Sequence, residues 1–147
     1  MLPNPTAAPA PPRAPMPAPQ HYPIRVYWED TDAGGVVFYA NYLKFFERAR
    51  TEWLRALGVE QQGLRDRTGA IFIVSRTNVR YLAPARLDDQ LEISVVLQSW
   101  GAASMVFVQQ ALRDGTLLAE GDIRIGCVDE KTFRPRRIPD YLMARLA

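Results

Sequence analysis

The sequence is poor in the residues that build metal centres and disulfides. It has 147 residues, one cysteine (Cys127) and one histidine (His21). A single cysteine excludes an intrachain disulfide and a multi-cysteine metal site. One His and one Cys exclude a histidine-rich zinc site within one chain. A Ser-His-Asp triad would have to recruit His21, at the very start of the body of the chain. Lysine is nearly absent: Lys44 and Lys131 are the only two, and the other 16 of the 18 basic residues are arginine. Against 16 acidic residues the net charge is +2, too balanced to imply a nucleic-acid partner. No apolar run approaches the roughly 20 residues of a membrane span. Residues 1–20 carry a single charge, Arg13, and prolines interrupt any apolar stretch, so they do not read as a signal peptide. The expectation is a cytoplasmic, soluble protein that needs no cofactor and no metal.

Proline is scarce too, except in one place. Of 12 prolines, eight lie in the first 20 residues, among five alanines. Such a stretch lacks backbone donors and large apolar side chains, so residues 1–20 are expected to be a disordered or polyproline-II tail. Residues 21–147 are then one domain of ordinary size, and the overall hydrophobic content of 48% is ample for a core.

Within that body, Tyr22 to Trp28 alternate as a first strand should. A turn-rich acidic loop, Glu29-Asp30-Thr31-Asp32-Ala33-Gly34-Gly35, follows. Tyr42, Phe46, Ala49, Trp53 and Leu57 then recur at spacings of three and four, widened by Phe45 and Leu54. That pattern predicts a central packing helix over about 41–57, with Asn41 as N-cap, Gly58 as C-cap and an Arg48–Glu52 pair on its outer side. A short helix over 59–68 and four long strands, near 71–82, 91–97, 104–112 and 117–128, come next. Asp114-Gly115 is a hairpin signal, and a helix is expected over 140–146 after Pro139. A helix followed by a meander is an α+β plan: an antiparallel sheet of about five strands with the helix on one face.

The segment richest in chemistry is Asp30 to Tyr42. It brings a carboxylate, a glycine turn and a helix N-terminus together. The first N–H groups of a helix have no intrahelical partner and can donate to an oxyanion. Asp32 is then placed to attack a carbonyl or to activate water. An Asp in a glycine loop before a helix is also a common turn or cap residue, and spacing alone leaves both readings open. Asp30 has the stronger claim to a structural role.

Glu29 to Val37, followed by Tyr39-Ala40-Asn41-Tyr42-Leu43, resembles the signature of the 4-hydroxybenzoyl-CoA thioesterase family. Phe46-Glu47-Arg48-Ala49-Arg50-Thr51-Glu52-Trp53-Leu54-Arg55 and Tyr81 to Asp89 are similar to its YbgC branch, acyl-CoA thioesterases associated with the Tol-Pal genes of Gram-negative bacteria. The resemblance covers about 21–140. It implies a hotdog fold, a long helix wrapped by a curved antiparallel sheet, and subunits that pair edge to edge as a dimer or a dimer of dimers. It implies an acyl-CoA substrate and a peripheral link to envelope or lipid-synthesis proteins. Carried over by position, Asp32 is the catalytic aspartate and the Tyr39 N–H polarises the thioester carbonyl. Much of the YbgC branch has His in place of Tyr39, but a backbone donor survives either residue. Val74 and Ser75 match positions lining the acyl pocket, and Ser104 is assigned to the substrate as well. Basic residues that clamp the CoA nucleotide elsewhere in the family are replaced by Gly101 and Ala102. The phosphates then fall to Arg134, Arg136 and Arg137, whose alternative reading is a solvated surface run.

Other residues read more plainly. Glu47 is expected to pair with a nearby arginine, although some thioesterases of this fold use a helical carboxylate. Cys127, Trp53 and Trp100 read as packing residues. Hydratase chemistry would need a His paired with an acid, and His21 lies outside the motif. A non-catalytic acyl-carrier or envelope-associated binding module is the alternative function.

Overall fold

The computed structural model describes residues 20–146. The Pro/Ala-rich segment therefore lies outside the described residues, except Gln20. That residue pairs with Val95 as the first residue of strand β1, so the boundary moves by one.

β1 runs Gln20–Arg25, shorter than the alternation to Trp28 predicted, because Trp28–Asp30 turns into a single 3-10 turn. Helix α1 spans Asn41–Ala56. Its buried side, Tyr42, Phe45, Phe46, Ala49, Trp53 and Leu54, is the stripe read from the sequence. At full burial each of these large side chains contributes about 1.5–3 kcal/mol, which makes α1 the centre of the core. Trp53 meets Phe107 edge-to-face with ring centroids 5.3 Å apart. Gly58 follows the helix at φ +80°, the left-handed conformation that a C-terminal stop uses. Helix α2 (Gln61–Thr68) ends the same way at Gly69, and α3 covers Asp140–Leu146.

Four long strands follow: β2 (Ala70–Tyr81), β3 (Gln90–Trp100), β4 (Ser104–Arg113) and β5 (Thr116–Asp129). All pairings are antiparallel and the order is β1-β3-β4-β5-β2. Helix and sheet form the expected hotdog arrangement. Asp114 (φ 48°) and Gly115 (φ 80°) make the two-residue turn between β4 and β5.

The simple meander is corrected in one respect. Only β3, β4 and β5 follow one another in space. β2 lies at the far edge beside β5, so the link from β2 to β3 crosses the molecule. The crossover is built from Leu82-Ala83-Pro84-Ala85, where proline ends the ladder. Ala85 is fully buried; its N–H donates to the Tyr42 hydroxyl (3.3 Å) and its carbonyl accepts from the Val37 N–H (2.8 Å). The crossover is thus fastened to both α1 and the acidic loop.

Candidate active site

The acidic loop is a miniature hairpin. Thr31 pairs with Val37, the Asp32 N–H donates to the Val36 carbonyl (2.9 Å), and the Phe38 N–H donates to the Asp30 carbonyl (2.9 Å). Gly35 takes φ +79° at its tip. The two aspartates face different surroundings. Asp30 is 3% exposed; its carboxyl oxygens accept from the Tyr27 N–H (2.8 Å) and from Asn41 Nδ2 (2.9 Å). Asp32 is exposed. Its Oδ1 accepts from the Gly34 N–H at 2.8 Å, which orients the carboxylate and leaves the other oxygen for a ligand.

The α1 terminus differs from expectation. Ala40 occupies the N-cap position and no side chain caps the helix. Asn41 sits inside the helix and turns its amide onto Asp30 instead, since a buried carboxyl group needs the donor more than a solvated helix end does. Among the described residues, no acceptor pairs with the Tyr39 or Ala40 N–H. Both peptides are fixed nonetheless. The Phe38 carbonyl accepts from the Asn41 N–H at 2.8 Å, and a trans peptide carries its N–H opposite its C=O. The Tyr39 N–H therefore points away from the helix. The Tyr39 carbonyl accepts from the Tyr81 hydroxyl at 3.0 Å, which holds the peptide bearing the Ala40 N–H. An anchored carboxylate and two unpaired, pre-oriented N–H donors at a helix start are suited to attack on a carbonyl and to its oxyanion.

Tyr39 itself is 63% exposed and borders an open cleft of about 290 Å³ with Tyr42, Tyr81 and Leu82. Tyr39 and Tyr81 meet edge-on at 6.1 Å. Burial pushes the Tyr81 and Tyr42 hydroxyls above the ordinary tyrosine range, so both remain protonated donors at neutral pH.

The other sequence-assigned residues fall elsewhere. A bulge between Val74 and Arg76 leaves Ser75 as the extra residue of β2, and its hydroxyl donates to the Arg124 carbonyl (3.3 Å). Val74 faces α1 and lines a small cavity with Glu47 and Arg50. Ser75 and Ser104 share a separate cleft with Arg76, Arg124 and Phe133. Neither cavity includes Tyr39. Arg136 donates to the Thr68 carbonyl (2.6 Å) and lies 3.6 Å from Asp129, so it holds the end of α2. Arg137 is 3.7 Å from Asp140, and Arg134 is exposed.

Two expected ion pairs are absent among the described residues. Glu52 pairs with Arg55 rather than Arg48, and Glu47 has no arginine within ion-pair distance. Cys127 is buried and burial pushes its thiol upward, consistent with a packing role.

The model of the thioesterase-like superfamily matches residues 26–146. The chain belongs to this superfamily. Within it, the acyl-CoA thioester hydrolase YbgC of Escherichia coli O6:H1 is 47% identical over 124 residues, covering 84% of this chain and 92% of the relative. The acyl-CoA thioesterase YbgC of Haemophilus influenzae is 40% identical over 123 residues, covering 84% and 90%. Among solved structures, one described as a probable thioesterase from Bartonella henselae superposes with a TM-score of 0.78 at 31% identity, covering 83% of this chain and all of that one. The matched stretch includes the Asp30–Tyr42 segment.

Proposed function

We propose that this chain hydrolyses acyl-CoA to a free acid and CoA, with Asp32 and the Tyr39 N–H as its working parts. The supporting observation is the loop itself: an exposed carboxylate held by the Gly34 N–H, beside helix-start N–H groups that no other group of the described chain occupies. A thioester carbonyl enters with its oxygen toward the Tyr39 N–H. The Asp32 carboxylate either adds to the carbonyl carbon and expels CoA thiolate, leaving an anhydride that water opens, or removes a proton from the attacking water. The N–H donor stabilises the oxyanion in both routes, a contribution of about 10²–10³ in rate.

The remaining assignments belong to the same reading. Val74, Ser75 and Ser104 contact substrate, and Arg134, Arg136 and Arg137 meet the CoA phosphates, Arg134 being the one of the three with no carboxylate in ion-pair distance among the described residues. Val74 and Ser75 border cavities that do not reach Tyr39 within one chain, which supports a site completed by a second copy across the β2 edge. The protein works in the cytoplasm, with envelope or lipid-synthesis proteins as partners; cell fractionation and co-purification from the source cells check this part.

The test is CoA release from a panel of acyl-CoAs, followed with a thiol reagent, beside acyl-pantetheines that lack the nucleotide. Wild type is expected to release CoA and to show a higher KM for the pantetheines. Asp32→Asn should lower kcat by at least about 10³ with the fold intact. A folded Asp32→Asn protein of full activity would overturn the role of Asp32. Tight acyl-CoA binding without release would make the chain a binding module instead.

A further inference from the structure

Along α1 the residues Tyr42, Phe46, Arg50 and Leu54 follow one another four apart, so all four share one face. Three are apolar or aromatic and buried. The fourth is an arginine, and it is only 8% exposed. Its Nη1 donates to Gln109 Oε1 at 2.9 Å. Gln109 is itself fully enclosed, and its amide nitrogen donates to the Phe46 carbonyl at 3.0 Å and lies 3.4 Å from that of Ser94. This holds the guanidinium rigidly from one side. Among the described residues no carboxylate comes within ion-pair distance of it.

A guanidinium carries five N–H donors, and the recorded bond uses one nitrogen. No side-chain nitrogen among the described residues is both sealed off and unpaired, so the other donors of Arg50 open onto space. That space is a cavity of about 60 Å³ between α1 and the sheet. Its walls are apolar on the sheet side, with Phe72, Val74 and Phe107, and mixed on the helix side, where Arg50, Thr51 and Gln61 stand beside Leu54. Glu47 also lines the cavity and is exposed to solvent, beyond ion-pair distance of Arg50. Burial pushes the Arg50 guanidinium down to about 10, with Glu47 acting the other way, so it stays a cation at neutral pH. A fixed, desolvated cation with no ion-paired carboxylate is unfavourable by itself, and an anion that hydrogen-bonds to it offsets that cost. The cavity has room for more than one water, so a carboxylate group fits in it. Arginine takes a carboxylate through two parallel N–H···O bonds.

We propose that this cavity receives the far end of the acyl group and that Arg50 selects acyl chains ending in a carboxylate. The inference rests on the thioesterase reading and on the assignment of Val74 to the acyl pocket. It adds a substrate class, the CoA thioesters of dicarboxylic acids, and a specificity-determining residue.

The experiment compares kcat/KM for ω-carboxyacyl-CoAs and plain acyl-CoAs matched in carbon number over a series of lengths. Wild type is expected to prefer the carboxylate-ended thioester by roughly tenfold or more at one length, since a site built to hydrogen-bond a group discriminates strongly against its absence. Arg50→Met should bring the ratio to about one. Should Arg50→Met fail to fold, Val74→Trp decides: it fills the cavity from β2 and leaves the Arg50–Gln109 bond alone, and it should remove the same preference. Plain chains processed as well as carboxylate-ended ones at every length would overturn the inference while leaving the thioesterase reading standing. A preference that survives in a folded Arg50→Met or Val74→Trp enzyme would also overturn it. Absence of CoA release from any thioester would instead defeat the thioesterase reading beneath it.

Discussion

Asp30 and Asp32 stand two residues apart in one loop, and the fold gives them opposite surroundings. The hydrogen bonds around Asp30 lock the base of the loop against α1, whereas Asp32 projects into solvent with one oxygen anchored. Asn41→Ala removes the side-chain donor to Asp30 and leaves a buried carboxyl oxygen unpaired. The expected cost is about 1–3 kcal/mol in urea unfolding, together with a loss of activity through the loosened loop. A variant as stable as wild type would show that the Asn41 amide does not hold the loop. Local sequence context favoured a structural role for Asp30 but left Asp32 open between turn residue and catalytic group; the motif resemblance assigned Asp32 its role, and the burial of Asp30 supplies the physical reason for the difference. Arg50 was legible in principle, as the one charge in an i, i+4 row of buried residues. Tyr81 was not, since its bond to the Tyr39 carbonyl joins positions 42 residues apart in sequence.

At the scale of elements, the stripe of α1, the strands and the stops at Gly58 and Gly69 followed from periodicity and turn chemistry. The crossover after β2 did not. Hairpin spacing measures the length of a link and not its destination, and Pro84 shows only that a ladder ends. What positions the crossover is a set of contacts from distant segments. Asp89 accepts from Arg113 Nη1 (2.7 Å) and from the Arg86 N–H (2.8 Å), and Arg113 also donates to the Pro84 carbonyl (3.2 Å). Partial burial pushes the Asp89 carboxyl up, but the Arg113 and Arg86 hydrogen bonds outweigh it and hold the group below the usual carboxylate range. A folded-state pKa below the unfolded value means the stabilisation is present above the ordinary carboxylate range, about pH 4, and is lost as pH falls through the lowered folded value. Arg113→Met should therefore destabilise the protein at neutral pH and flatten the fall of Tm with acid. An unchanged Tm–pH curve would remove this clasp from the account of the crossover.

For the molecule as a whole, the decisive feature is the β2 edge. From Ile73 to Tyr81 every residue of β2 except the half-buried Val79 is exposed, and Ile73 and Val74 are apolar. A long edge strand with unpaired backbone groups is a template for another strand. Under the proposed assembly a second copy covers it, and Ile73→Lys should shift the particle toward monomer in light scattering and lower kcat with it. Wild type that is monomeric at working concentration and fully active would overturn the shared site. Removal of residues 1–19 is expected to leave activity within about twofold, since no assigned group lies there.

The strand order also dictates when the molecule can form. β2 finds its neighbour only in β5, with Ala70 opposite Asp129 and Tyr81 opposite Ala119. On a ribosome, β2 emerges long before β5, and through that interval its backbone has no strand within the chain to pair with. Pairing between segments so distant in sequence is characteristic of slow folding, in milliseconds to seconds for sheet-rich domains. The edge proposed to take a second copy is thus the part of the nascent chain most open to wrong pairing, and the arrival of β5 sets the moment at which one side of it is covered.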